Sequence, residues 1–210
     1  MVAILANGAF PESESVLRRL KSSARIICCD GAAATALSVG LEIYAAVGDG
    51  DSLSAEVKSR LGGKWRHVTE QDTNDLSKAF RLAVGEGARE IEIYGASGKR
   101  EDHLLANVFH LVDFNFGDIK TDMVTDHGRF TVVKSGEKRM FDAPIGTAVS
   151  IFAPAQGTEV RSSGLKWPLD GVSLESLWRG TLNSTCSDSF EIEATKPVIV
   201  FISSKSSAAK

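Results

Sequence analysis

Tyr44-Ala45-Ala46-Val47-Gly48-Asp49-Gly50-Asp51-Ser52 places an apolar run directly ahead of two carboxylates. The run reads as a buried strand, which puts Asp49 and Asp51 at its carboxyl end. Cys28-Cys29-Asp30-Gly31 follows Arg25-Ile26-Ile27 in the same way, and Gln71-Asp72-Thr73-Asn74-Asp75 precedes a helical pattern. In an open α/β sheet, ligands bind at the carboxyl ends of the strands. Aspartates converging there repel one another unless protonated or neutralised by a cation, and oxygen-only ligands favour magnesium with a phosphate-bearing substrate.

The surrounding chain has the alternation such a sheet needs. Strands are expected at Val2 to Ala6, Arg25 to Cys29, Ala45 to Val47, Arg66 to Val68, Glu90 to Tyr94 and Ile119 to Val124. Helices are expected at Glu12 to Lys21, Ala32 to Val39, Ala55 to Leu61, Asn74 to Val84 and Glu101 to Val112, the pattern of βαβ units and a mostly parallel sheet. The last helix sets Leu104, Leu105, Val108, Leu111 and Val112 on one face. After about Asp126 the helical period gives way to short β-type runs punctuated by Gly, Pro, Ser and Asp, the mark of a small antiparallel sandwich or barrel. Its strands are expected at Phe130 to Val133, Arg139 to Phe141, Ala148 to Ala153, Thr158 to Arg161, Phe190 to Glu193 and Val198 to Ile202, with a frayed Ser/Ala/Lys-rich tail beyond.

Composition narrows the function. The 210 residues are 43% hydrophobic and 24% charged, with a formal net charge of -3. Without a long Lys/Arg run the chain lacks the basic face of a nucleic-acid binder. No run approaches the ~18 apolar residues of a membrane span, and the amino terminus lacks signal-peptide features. Three cysteines, two adjacent in an apolar strand, read as core thiols in a reducing, cytoplasmic setting. The four histidines have no zinc-type spacing.

Tyr94-Gly95-Ala96-Ser97-Gly98-Lys99-Arg100-Glu101-Asp102-His103 leaves a strand and opens a helix. Glycines and a helix amino terminus there offer backbone N–H groups to an anion, with charge from Lys99 and Arg100. Neither a Walker A loop nor a Gly-x-Gly-x-x-Gly after the first strand is present. Some of these residues have plainer readings. Asp72 and Asp75 spell a helix start with Asp72 as N-cap, Asp30 or Ser52 could cap the helix that follows it, and Trp167 beside Pro168 reads from composition as packing.

Taken in order, Cys29-Asp30-Gly31-Ala32, Gly48-Asp49-Gly50-Asp51-Ser52, Gln71-Asp72-Thr73-Asn74-Asp75, Gly95 to His103 and Leu165-Lys166-Trp167 resemble the thiamine pyrophosphokinase (thiamine diphosphokinase) family. The resemblance covers nearly the whole chain. It implies a Rossmann-like, mostly parallel α/β catalytic domain over residues 1–125, binding ATP and magnesium, then an antiparallel β-sandwich over 126–210 that binds thiamine. It implies a homodimer, with thiamine held between the catalytic domain of one subunit and the β domain of the other. The implied reaction moves a diphosphoryl group from ATP to the thiamine hydroxyl and releases AMP. Asp49, Asp51 and Asp75 become the expected magnesium ligands and, with Arg100 and Asp102, the expected catalytic set. Asp30 is expected nearby, engaged through water. Gln71 and Thr73 shape the nucleotide site, while Gly98, Lys99, Arg100 and His103 belong to the loop that meets the phosphates. Trp167 falls near thiamine, and Asn183 matches an Asn in a Ser/Thr-rich segment that contacts it.

The chain departs from the family at Lys99, where many members have Gly, at Asn74, where Thr is common, and in the segment that holds Asn183, where Thr-Ser-Asn is usual. Two rival readings stand beside it. Asp49-Gly50-Asp51 resembles the Asp-x-Asp site of haloacid-dehalogenase-like phosphohydrolases, although Leu53 stands where that pattern has Thr or Val. A non-catalytic nucleotide or thiamine sensor would bind ligand without releasing AMP.

Overall fold

In the computed structural model, which describes residues 1–206, contacts divide the chain into two bodies. One comprises Met1–Asn107 with Phe116–Asp126, the other Val108–Asn115 with the residues from His127 onward.

In the first body the short apolar runs become β1 (Val2–Leu5), β2 (Arg25–Cys29), β3 (Ala45–Gly48), β4 (Trp65–His67), β5 (Glu90–Tyr94) and β6 (Lys120–Thr125). They lie in the order β4-β3-β2-β1-β5-β6, and every neighbouring pair is parallel. The helices are α1 (Glu14–Lys21), α2 (Ala32–Ser38), α3 (Ala55–Leu61) and α4 (Asp75–Gly85), and α5 (Glu101–Phe114) begins in this body and continues into the other at Val108. Strands covered on both faces are apolar throughout, and β1 is buried at every residue. Leu5, Leu20, Cys28, Ala33, Ala36, Ala46 and Tyr94 pack in one core. Burial pushes the Cys28 thiol up to about 12 and raises Cys29 as well, so both are inert core thiols. The chain runs from β1 outward to β4, then returns through α4 to β5 on the far side of β1. That reversal makes the carboxyl ends of β1 and β5 the topological switch point, where such sheets bind ligands.

The expected helix starts at Ala32, Ala55 and Glu101 are the observed ones, whereas α1 and the capping residues differ from the sequence reading because side chains compete for backbone donors. α1 begins at Glu14 rather than Glu12, since the N–H groups of Glu12 and Ser13 donate to the Asp126 carboxylate at 3.0 and 2.9 Å. Asn74, not Asp72, caps α4, its Oδ1 accepting from Ser77 N–H at 2.9 Å. Ser54, not Ser52, caps α3, and Gly31 at the start of α2 makes no side-chain cap. On α5, Val108, Leu111 and Phe114 are buried but Leu105 is 57% exposed.

The second body contains β7 (Gly128–Val133), β8 (Lys138–Asp142), β9 (Thr147–Phe152), β10 (Glu159–Ser163), β11 (Asp170–Ser173), β12 (Asn183–Ser184), β13 (Ser189–Ala194) and β14 (Val198–Ser206). One antiparallel sheet runs β12-β9-β14-β7 and the other β11-β10-β13-β8. Val149, Ile151 and Val200 of the first share a core with Phe141, Val160 and Ile192 of the second, so the arrangement is a sandwich. β9 alternates buried and half-buried residues along its length, the period of a strand with one face inward. β11 and β12 escaped the sequence reading because Asp-Gly-Val-Ser and Asn-Ser carry no such alternation. The tail read as frayed after Ile202 continues as β14 to Ser206, where the Ser204 N–H donates to His127 O at 2.9 Å; residues 207–210 lie outside the described residues.

Candidate active site

The loops after β1 and β5 are zipped together at the switch point. Gly8 N–H donates to Gly95 O at 2.6 Å and Ala9 N–H to Ser97 O at 2.7 Å. A Cβ on Gly8 would stand 2.3 Å from Gly95 O and 2.4 Å from Ser97 O, so only glycine lets these backbones meet. They wall a cavity of about 370 Å³ whose lining includes Asn7, Cys29, Asp75, Ser97, Lys99, Arg100, His103 and Asn107. Lys99 reaches back to Asn7 O at 2.9 Å, and Asn107 donates to Ala96 O at 3.0 Å, tying α5 to the loop.

The acids stand at the same edge. Asp30 follows β2, is 3% exposed, and accepts the Ser52 N–H on Oδ2 at 3.0 Å. Its buried Oδ1 has no hydrogen-bond partner. A side chain at Gly48 would come within 2.7 Å of Asp30 Cβ, so the glycine before Asp49 makes room for the neighbouring acid. Asp49 Oδ1 accepts the Asp51 N–H and Oδ2 accepts the Gln71 amide, both at 3.1 Å. The Asp51 N–H first and the Gln71 amide second hold Asp49 below its ordinary range, with the Lys78 charge adding to the effect. Asp51 itself is exposed.

Asp75, at the first position of α4, shows the opposite tendency. Burial raises its pKa, the Lys78 ammonium opposes the rise, and the charges of Asp30 and Asp49 add to it. Thr73 is part of a brace, its N–H and Oγ1 donating to Glu70, which also accepts from Arg81. Arg100 and Asp102 form an exposed ion pair at 2.6 Å. The Arg100 guanidinium brings the Asp102 carboxyl down to about 2.

In the second body, Trp167 and Asn183 are joined across 16 residues. Trp167 N–H donates to Asn183 Oδ1 at 3.2 Å and Asn183 Nδ2 donates to Trp167 O at 2.6 Å. Lys166 Nζ lies 4.7 Å from the Trp167 ring centroid, and the indole is 54% exposed. An indole so exposed is not core packing; of the core or rim packing that composition favoured, the rim remains. Buried Asn183 has both ends of its amide occupied by backbone.

A family model described as "Thiamin pyrophosphokinase, catalytic domain" matches residues 16–123, and one described as "Thiamin pyrophosphokinase, substrate-binding domain" matches 128–201. The chain belongs to the thiamin pyrophosphokinase family. The thiamine pyrophosphokinase of Bacillus subtilis strain 168 is 26% identical over 168 residues, covering 78% of this chain and 76% of that protein. The B. subtilis crystal structure has a TM-score of 0.82 at 20% identity, over 97% of this chain and 98% of that one. Yeast thiamin pyrophosphokinase gives 0.81 at 15% identity, over 96% and 85%. These structural likenesses show the fold. The family's reaction, transfer of a diphosphoryl group from ATP to thiamine, is the activity that membership assigns, and the phosphohydrolase reading of Asp49-Gly50-Asp51 falls with it.

The structure brings Asp30, Asp49, Gln71 and Asp75 to one edge and puts Lys99, Arg100 and His103 around the cavity beside them. Asn7, Gly8, Lys78 and Asn107 were missed. The Asn7-Gly8 turn after the first apolar run was the available signal for two of them; helical spacing sets Lys78 away from the apolar face Leu76, Ala79, Phe80, Ala83, so the sequence held no signal for it.

Proposed function

We propose that an α/β domain, residues 1–125, binds ATP and magnesium at this edge, and that a β domain, 126–210, supplies Trp167 as the platform for thiamine. The convergence of Asp30, Asp49 and Asp75 beside a cavity walled by two backbone loops carries the reading. Among the described residues no group of three His, Cys, Asp or Glu side chains forms a ready-made metal site. Magnesium takes one or two protein carboxylates and completes its shell with water and phosphate oxygens. The all-oxygen donor set and the unpartnered Asp30 Oδ1 fit that ion, with Asp49, Asp51 and Asp75 as ligands. Bound there, magnesium would neutralise charge on the phosphate oxygens during transfer.

The chain's own groups do the remaining work. In the reaction the thiamine hydroxyl oxygen gives up its proton to solvent and bonds to the β-phosphorus, the bond from that phosphorus to the α,β-bridging oxygen breaks, and AMP leaves. Backbone N–H groups of the β5 loop at Gly98, with Lys99, Arg100 and His103, receive the phosphates and fix the in-line approach. Gln71 orients the Asp49 carboxylate and Thr73 braces the loop that carries Asp75. Asp102, held at about 2, is a weak base and serves to position Arg100. Indole is the strongest aromatic partner for a flat cation such as the thiazolium of thiamine, and Asn183 sets the Trp167 backbone. Exposed Trp178 and Leu182 near Asn183 in sequence supply apolar surface for a second copy, in keeping with a homodimer whose site is shared between subunits. A cytoplasmic location agrees with three free thiols.

The test is incubation with ATP, magnesium and thiamine, followed by phosphorus NMR. AMP and thiamine diphosphate should appear in equal amounts and stop on chelation. ADP with free phosphate would indicate hydrolysis, and tight binding without turnover would restore the sensor.

A further inference from the structure

Lys78 is the cation of the acidic edge that phosphate chemistry leaves unexplained. It follows Asp75 by three residues on α4, and its Nζ lies 3.1 Å from Asp75 Oδ1. Its side chain is 3% exposed. Lysine is almost never so buried unless paired, because desolvating an ammonium is expensive. The cost is met at a place where carboxylates crowd together. α4 packs against β2 and β3, the strands that deliver Asp30 and Asp49, and the Lys78 charge acts on Asp49 as well as Asp75. Held this way, the ammonium offsets one of three negative charges whether or not a ligand is present.

We infer that Lys78 is a built-in counter-ion, a positioning residue that keeps the carboxylates together in the empty site and competes with a divalent cation for Asp75. The inference rests on the reading of this edge as a divalent-cation site. Its consequence is an order of binding. A divalent cation entering alone must displace or tolerate a fixed positive charge, so the bare protein holds it weakly. ATP phosphates add negative charge and extra oxygen ligands, and the cation then binds as part of the nucleotide complex. The device restricts cation capture to moments when substrate is present.

The experiment measures Mn²⁺ binding to the nucleotide-free protein by EPR, alongside melting curves in chelator, for wild type, Lys78→Met and Lys78→Arg. Removing the fixed charge should tighten Mn²⁺ binding by about tenfold, the effect of about 1.4 kcal/mol, and lower the melting temperature in chelator. Lys78→Arg, which keeps the charge, should bind Mn²⁺ as wild type does. If Lys78→Met unfolds, Lys78→Gln replaces it. Unchanged or weaker Mn²⁺ binding in the neutral variants overturns the inference. So does loss of binding to a non-hydrolysable ATP analogue with Mn²⁺ affinity unchanged, which would make Lys78 a phosphate ligand. Asp49→Asn separates the two readings. If it leaves Mn²⁺ binding in the presence of the analogue intact, the metal assignment itself fails. If it abolishes that binding while Lys78→Met changes nothing, only the counter-ion role fails.

Discussion

Glu92 and Asp30 are buried carboxylates of the same sheet, 5% and 3% exposed, and their surroundings treat them oppositely. Glu92, inside β5, accepts a fork from Arg19 and the hydroxyl of buried Tyr94. These bonds raise the guanidinium pKa, and the tyrosine is raised by burial and by Glu92. Asp30, past the end of β2, has one oxygen bonded and one without a partner, and shares its space with Asp49 and Asp75. A satisfied buried acid holds α1 to the sheet. An unsatisfied one marks a place where folding has left an interaction for a ligand to complete.

The strongest challenge to that contrast is Asp49→Asn. We expect turnover to fall 10²- to 10³-fold, about 3–4 kcal/mol of transition-state stabilisation, while denaturant stability stays near wild type. A loss smaller than tenfold would mean the acidic edge is not where charge is managed. Arg19→Met should do the reverse, costing about 2–3 kcal/mol of stability because Glu92 loses its partner, a figure kept modest because Arg19 is 49% exposed and water can enter. Its kcat should hold. Loss of turnover with stability intact would erase the distinction between the two acids.

A pH series sharpens the contrast further. Asp75 is raised above its ordinary range, so the folded state holds that proton more tightly than the unfolded chain does. Its contribution to stability is present below the unfolded carboxylate value, about 4, and is lost as pH rises through the raised folded value. In chelator, Asp75→Asn should therefore gain on wild type as pH climbs from about 4 toward neutrality, read from melting temperatures. A constant offset between the two would mean that burial and the neighbouring acids do not disfavour the Asp75 carboxylate in the folded state. The smallest effect concerns the second body. Leu182 has φ 61° and is 86% exposed, a left-handed conformation that costs a leucine about 1 kcal/mol. At protein concentrations low enough to keep the subunits apart, Leu182→Gly should raise stability by about that much in a denaturant titration, and no gain would mean that contacts of the leucine within the subunit offset its strain.

Much of this molecule was legible before its structure. The apolar run Arg25 to Cys29 read as a buried strand and Glu90 to Tyr94 as a strand by its alternation of Glu with Ile, and acids placed after two apolar runs pointed to the ligand edge, because the period of burial is a local property. The change of period after Asp126 separated the α/β part from the β part for the same reason. What tertiary structure alone decided are pairings between residues far apart in sequence. Asp126 takes the donors that would have started α1 earlier, Ser52 turns to Asp30 and leaves the cap of α3 to Ser54, and Gly8 meets Gly95 at a backbone distance no other residue permits. Lys78 looks from its sequence like a solvent-facing charge, set by helical spacing away from the apolar face of α4. Only the approach of α4 to the ends of β2 and β3 makes burying it less costly than leaving three carboxylates unbalanced.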